Sequence, residues 1–249
     1  MVNLKSLGKG FKVRQGTTDE EMYIEVYRTN VYGLTDKFSA DDVIIDLGGH
    51  IGSFVYTAVE KYGASKIYSY EPDPDNFSIL TENSKKYQQV KIYNLAVWRS
   101  DIKEESIQFS GYHYETSTRT NTACGSVIKK EDLPFCSVKP FIVKCVPFDD
   151  VMEECTERGN KRVKFLKSDC EGSEYPILYT SSYLHLIDYI ALEYHDSSDF
   201  INKDGEIFRY KAEDLIRFLN KKGFDLVFRG HEYFRGKQRV GCLRFARRQ

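Results

Sequence analysis

The stretch Val43–Phe54 (VIIDLGGHIGSF) decides the fold. Val43 to Leu47 is a short β-branched run of the kind that forms a buried parallel strand. Gly48, Gly49 and Gly52 break it and let the backbone turn tightly into a helix. Ile51, Phe54, Val55, Ala58, Val59 and Tyr62 then recur on one helical face, and Gly63 is placed to cap that helix. Working outward, Lys66 to Tyr70 reads as a second strand ending at Glu71-Pro72. Pro74 fits the first turn of a second helix, whose face carries Phe77, Leu80, Ser84 and Tyr87. Val90 to Tyr93 supplies a third strand. This alternation implies a parallel sheet with helices on its faces. Further along, strands are expected at Phe141–Val146, Val163–Lys167 and Asp188–Leu192. Helices are expected from Pro147 to Thr156, Gly172 to Tyr179 and Tyr210 to Lys222. Phe224–Phe228 and Val240–Phe245 form an antiparallel closing pair. Met22–Tyr32 fits helix or strand. Residues 98–140, rich in Ser, Thr, Lys and Glu, read as an inserted hairpin or a mobile lid. The whole is expected to be one domain over 1–249, with an N-terminal extension over 1–40.

Composition narrows the classes. The chain has 249 residues, 36 Lys and Arg against 37 Asp and Glu, and a formal charge of −1. A hydrophobic share of 41% is enough for a core and excludes a disordered chain. The neutral balance argues against a polybasic nucleic-acid binder, and no DNA partner is expected. The N-terminal stretch has no apolar signal region, and no run approaches ~18 apolar residues, so neither a signal peptide nor a membrane span is expected. Six cysteines without a CxxC spacing suit reduced thiols, hence a cytoplasmic protein. Aromatics at 14% suit core packing or a carbohydrate-stacking surface.

The chemistry lies in the glycine turn. A dinucleotide fingerprint needs G-x-G-x-x-G, and His50 stands where its second glycine would be. Asp46, at the strand end, would repel a pyrophosphate but suits a ligand with ammonium and sulfonium groups. S-adenosylmethionine has both. Glu71, ending the second strand, is placed to accept hydrogen bonds from ribose hydroxyls. Candidate proton acceptors on the same edge of the sheet are Asp169, Glu171, Glu193 and His195. His195 suits proton transfer near neutrality. Asp169 and Glu193 can instead bind a divalent cation, Mg²⁺ or Mn²⁺, through oxygens.

Four pieces of the sequence carry a family resemblance: VIIDLGGHIGSF (43–54), YEP (70–72), NLAV (94–97), and KSDCEGSE (167–174) with IALE (190–193) behind it. Together they resemble the FkbM family of S-adenosylmethionine-dependent O-methyltransferases. The string Lys167, Asp169, Glu171, Gly172, Glu174 is its more specific part. Gly49-His50, where an Ala-Asn pair is frequent, and Cys170 within the acidic string are small departures. The resemblance implies a Rossmann-like class I methyltransferase: a mostly parallel seven-stranded sheet with helices on both faces, an antiparallel C-terminal hairpin and the insertion near 98–140. It implies that Asp46, Gly48, Gly49, His50, Ile51, Gly52 and Ser53 cradle the methionine moiety. Glu71 with Pro72 would hold the ribose, Asn94, Ala96 and Val97 would lie near the adenine, and Asp169 would stand close to the methyl donor. It also implies a sugar hydroxyl as acceptor, in a glycan, a nucleotide sugar or a glycosylated small molecule. An RNA 2′-O-methyltransferase, an NAD(P)-dependent oxidoreductase and a non-catalytic nucleoside-binding module are the alternatives.

Outside this set, Lys167 and Glu174 read as an ion pair. Tyr112, His113 and Tyr114 can stack on a sugar or pack in a strand. The seven basic residues between Arg229 and Arg248, against one acid, Glu232, suit either an anionic acceptor or solvated strand edges. Which sugar is used, and which oligomer forms, are left open by these residues.

Overall fold

The computed structural model describes residue 8 and residues 10–110, 114–115, 120–123, 125–126, 140–196, 199–235 and 238–248. The chain begins with helix α1 (Asp19–Ile24), which runs into a π-helical turn over Glu25–Thr29. Of the two readings open for 22–32, the helical one holds as far as Thr29. Strand β1 (Val43–Leu47), helix α2 (Ser53–Tyr62), strand β2 (Ile67–Tyr70), helix α3 (Pro74–Ser84) and strand β3 (Val90–Tyr93) follow as the periodicity predicts. Gly63 caps α2 at φ +70°, its amide bonding back to Ala58 and Val59. Asp73 caps α3, its carboxylate accepting from the amides of Asp75 and Asn76, with Pro74 in the first turn.

The middle of the chain departs from simple alternation. Strands β4 (Ala96–Trp98) and β5 (Ser106–Phe109), two-residue strands β6 (Tyr114–Glu115) and β7 (Thr120–Asn121), and β8 (Phe141–Pro147) come next. The long strand β8 is not part of the main sheet. It lies between β4, parallel to it, and β5, antiparallel, in a separate three-stranded sheet. Within 98–140, β6 and β7 pair antiparallel as a short hairpin, while β5 pairs with β8 beyond the stretch; residues 127–139 lie outside the described residues. Helix α4 (Phe148–Cys155), strand β9 (Val163–Ser168), helix α5 (Glu174–Thr180) and strand β10 (Ile187–His195) follow. A two-residue pair β11 (Phe200–Ile201) and β12 (Ile207–Phe208), helix α6 (Ala212–Lys221), and strands β13 (Phe224–Arg235) and β14 (Gln238–Arg247) complete the chain.

The main sheet has seven strands in the order β13-β14-β10-β9-β1-β2-β3. β14 runs antiparallel to both neighbours, and the other adjacent pairs are parallel. The fold is therefore the mostly parallel, Rossmann-like α/β sheet that the resemblance implies, closed by an antiparallel hairpin. All five residues of β1 are buried because helices cover both faces. One face holds Ile45 and Leu47 with Tyr175, Leu178 and Leu215; the other holds Ile44, Phe54, Val55, Ala58 and Leu80. Truncating one of the Leu, Ile or Phe side chains among these to Ala would cost about 2–5 kcal/mol. The described aromatics mostly pack: Phe11, Tyr23, Tyr27 and Tyr56 form one cluster, Tyr175, Tyr179 and Tyr210 another. Among the described residues, no helix is long and apolar enough to cross a membrane.

Candidate active site

Strand register builds the site. Leu47 pairs with Tyr70 on one side and with Ser168 on the other, and Ser168 pairs with Leu192. Gly48, Glu71 and Asp169 therefore leave the sheet side by side at its carboxyl edge, level with Glu193 on β10, which runs on to His195 paired with β14. A cavity opens there, at the place where open α/β sheets bind ligands. Its wall includes Gly48, Gly49, His50, Glu71, Asp169 and Glu193. Gly48 has φ +77°, and a Cβ on it would sit 1.9 Å from the Asp169 carbonyl oxygen. Only glycine lets the β1 turn and the β9 turn lie this close.

Asp46 does not reach the cavity. Its carboxylate is fully buried beneath the turn, accepting from Ser69 Oγ at 2.7 Å and lying 3.1 Å from Lys167 Nζ. The Lys167 ammonium also donates to the carbonyls of Leu47 and Gly48. The expected direct contact between Asp46 and a cofactor ammonium is thus corrected. β1 is buried on both faces, so its carboxylate was neutralised by a lysine from β9. The expected Lys167–Glu174 ion pair is corrected by the same observation. Burial opposes the Lys167 charge, but Asp46 and Asp169 hold its pKa above the ordinary value.

Glu71 faces the cavity. One carboxylate oxygen accepts from the Asp73 amide at 2.9 Å and the other from the His50 amide at 2.7 Å. Burial pushes its pKa up to about 7 against the lowering effect of these donors. His50 takes φ +49°, and its Nε2 lies 3.0 Å from Thr122 Oγ1. Burial lowers its pKa to about 4, so the imidazole is neutral near pH 7. Thr122 in turn donates to Asp19, which is gripped by Arg14 through paired hydrogen bonds of 2.9 Å. The N-terminal segment and the 98–140 stretch are clasped together over the glycine turn.

Asp169 Oδ2 accepts from the Tyr32 hydroxyl at 2.7 Å. Burial first, and the nearby Glu193 second, raise its pKa above the ordinary carboxylate range. His195 is neither the surface loop residue nor the cavity-facing base that its sequence position allowed. It is the last residue of β10, its side chain is 0% exposed, and it lies behind the wall. Its Nε2 is 3.2 Å from Glu193 and 3.4 Å from Glu171, and its Nδ1 is 3.4 Å from Glu174. Burial disfavours its charge, yet Glu171 and Glu174 prevail and hold its pKa well above the usual value.

Of the residues singled out in the sequence, Gly48, Gly49, His50, Glu71, Pro72, Ala96, Val97, Asp169, Glu171 and Glu193 meet at the cavity. Ile51 packs with Phe11 and Tyr56 in a core cluster. Gly52 turns the chain into α2 at φ +89°, and Ser53 is the buried first residue of that helix. Asn94 does not line the cavity; its amide donates to the carbonyls of Glu71 and Pro72 and so fixes the β2 exit. Tyr32, Thr18, Phe109 and Thr122 line the cavity without having been foreseen, because they lie far from the glycine motif in sequence. An Asp-to-tyrosine pairing across 137 positions has no local signature. The basic C-terminal stretch is largely spent internally: Arg239 pairs with Asp196 and Glu213, Arg229 with Glu232 and Glu213, and Arg248 with Asp225. Tyr112 and His113 lie outside the described residues.

A protein named Methyltransferase 1 from Beauveria bassiana (strain ARSEF 2860) is 25% identical over 191 residues, covering 72% of this chain and 74% of that protein. Among solved structures, methyltransferase FkbM from Methylobacillus flagellatus KT aligns with a TM-score of 0.49 and 18% identity, over 90% of this chain and 47% of that one. M. capricolum TrmK in complex with S-adenosyl-homocysteine aligns with a TM-score of 0.46 and 10% identity, over 89% and 67%. At such scores the strand order itself, and not the superposition, assigns the fold. The family described as the methyltransferase FkbM domain matches residues 46–226, from the buried aspartate of β1 into β13. The chain belongs to the methyltransferase FkbM domain family.

Proposed function

We propose that this protein is an S-adenosylmethionine-dependent O-methyltransferase whose acceptor is a sugar hydroxyl, in a glycan, a nucleotide sugar or a glycosylated small molecule. The residues present suit the cofactor. Gly48 and Gly49 present backbone without side chains at the cavity wall. Glu71 offers a buried carboxylate with acceptor capacity beyond its two backbone donors, suited to ribose hydroxyls. Pro72, Ala96 and Val97 form an apolar wall suited to a base. When bound, the cofactor supplies an electrophilic methyl group on sulfur.

The observation that carries O-methylation is the Tyr32–Asp169 hydrogen bond at the cavity wall. It shows a hydroxyl donating to Asp169 beside the glycine turn, the contact an acceptor hydroxyl needs. Asp169 orients that hydroxyl and takes its proton as the new C–O bond forms. Burial and Glu193, on the adjacent strand, hold the Asp169 pKa above the ordinary carboxylate range, which suits a proton acceptor. Tyr233 and Phe109 put aromatic surface on the same cavity, which suits a sugar face. The ion-paired C-terminal arginines weigh against the RNA alternative, which needs free basic surface.

Thermal shift with S-adenosylhomocysteine against NAD(P) is the first test, followed by a mass-spectrometric screen of nucleotide sugars and glycosides for a gain of one methyl group. Stabilisation by NAD(P) alone would refute the cofactor. Methylation of RNA but of no sugar would refute the acceptor.

A further inference from the structure

Behind the cavity wall, four acidic side chains gather around one imidazole: Asp169, Glu171, Glu174 and Glu193 around His195. Lys167, beside them, is committed to Asp46. His195 is completely buried, yet neither of its ring nitrogens has a hydrogen-bond partner. Such groups are rare in protein interiors and each calls for a ligand or another cause. Carboxylate oxygens do surround the ring, at 3.2 Å from Glu193 and 3.4 Å from Glu171 on the Nε2 side. Those contacts are long and poorly aligned for hydrogen bonds. They match the spacing between neighbouring ligands around an ion with bonds of ~2.1 Å, where donor atoms lie ~3.0–3.4 Å apart.

We propose that His195 Nε2, Glu171 and Glu193 form a binding site for a divalent first-row ion, Mn²⁺ or Zn²⁺, set in the wall of the cavity. The imidazole nitrogen favours these ions over Mg²⁺ and Ca²⁺, which prefer oxygen alone. Glu174 completes the arrangement from behind. Its Oε1 faces Nδ1 at 3.4 Å, while its two oxygens accept from the amides of Cys170 at 2.6 Å and Gly172 at 2.8 Å. A carboxylate pinned in this way is placed to accept from Nδ1 once Nε2 takes the ion, which would set the tautomer and aim of the ligating histidine. Grouping Asp169, Glu174 and His195 instead would spend that pinned carboxylate and turn the ring the other way. The Asp169–Glu193 pair foreseen from sequence is thereby replaced, with Asp169 left to Tyr32. Glu171 and Glu193 line the cavity and His195 lies behind them, so the ion enters from the cavity and keeps its open positions towards it. The inference goes beyond the proposed function and depends on neither the cofactor nor the acceptor.

The test is a Mn²⁺ titration of the chelator-treated full chain, without cofactor or acceptor, followed by calorimetry and electron paramagnetic resonance, with a parallel Zn²⁺ titration. We expect one ion per chain and a nitrogen coupling from a single imidazole in the pulsed Mn²⁺ spectrum. Glu171→Gln and Glu193→Gln should each weaken Mn²⁺ binding at least tenfold, and Glu174→Gln by about 10–100-fold. Absence of binding by the wild-type chain would overturn the proposal, as would bound Mn²⁺ without nitrogen coupling or affinities unchanged in both ligand variants. If a variant fails to fold, the wild-type nitrogen coupling decides. S-adenosylhomocysteine binding, measured separately, reports on the methyltransferase reading alone.

Discussion

The Tyr32 hydroxyl and the Asp169 carboxylate meet at 2.7 Å, tying the segment before the first strand to the end of β9. This contact places a residue of the N-terminal extension in the cavity that the sheet edge forms. It also leads to the most direct test of the reaction. Asp169→Asn should bind S-adenosylhomocysteine near normally but lose about 10²–10⁴-fold in turnover. Tyr32→Phe should cost less, roughly tenfold, because it removes an orienting donor and keeps the carboxylate. Wild-type turnover in Asp169→Asn would exclude it as the proton acceptor.

The Asp46–Lys167 pair is a deeply buried charge pair, with side chains 0% and 3% exposed. Removing one partner strands the other charge. Lys167→Met should therefore cost about 3–5 kcal/mol in urea unfolding. The double variant Asp46→Asn, Lys167→Met should recover part of that loss. A double variant as unstable as the sum of its singles would show that the two are not coupled.

Glu71 links pH to stability. Its pKa is about 7 in the folded chain against an ordinary 4.5, so the folded chain holds that proton more tightly. Its contribution is full below about pH 4.5 and is lost as pH rises through about 7. Glu71→Gln lacks this penalty, so its melting temperature relative to wild type should climb between those values. The same variant should bind S-adenosylhomocysteine at least about tenfold more weakly, because Glu71 is the proposed acceptor for the ribose hydroxyls. A pH-independent difference in melting temperature would place the cause elsewhere.

His50 sits in left-handed backbone at φ +49°. Asn tolerates that region and a β-branched residue does not. His50→Asn should keep the fold with a small change in melting temperature, whereas His50→Val should lose about 1–3 kcal/mol. Equal stabilities would mean that the turn relaxes without strain.

Elements governed by local pattern were legible in advance. β1, α2, α3, β3 and the closing hairpin follow from periodicity, glycine and proline, because a buried strand and a one-sided helix each leave a short-range signature. Phe141–Val146 was legible as a strand but not as a member of a different sheet, since pairing partners are not encoded in one strand's own alternation. The same limit governed the site. Gly48, Gly49, Glu71, Asp169 and Glu193 follow from their places at strand ends. Asp46 and His195 share that placement yet are buried, and Tyr32 and Thr122 enter from segments with no motif.

The sequence by itself therefore determined the sheet, its glycine turn and the row of acidic residues at its edge, because each rests on contacts close in the chain or on strand ends. Only the tertiary structure decided which of those acids face the cavity. Asp46 is turned inward because Lys167 from β9 neutralises it, and His195 is walled in because β10 runs on past β9 to pair with β14. Burial and charge pairing depend on neighbours far apart in sequence, and they separate the residues that can reach a ligand from those that hold the site together.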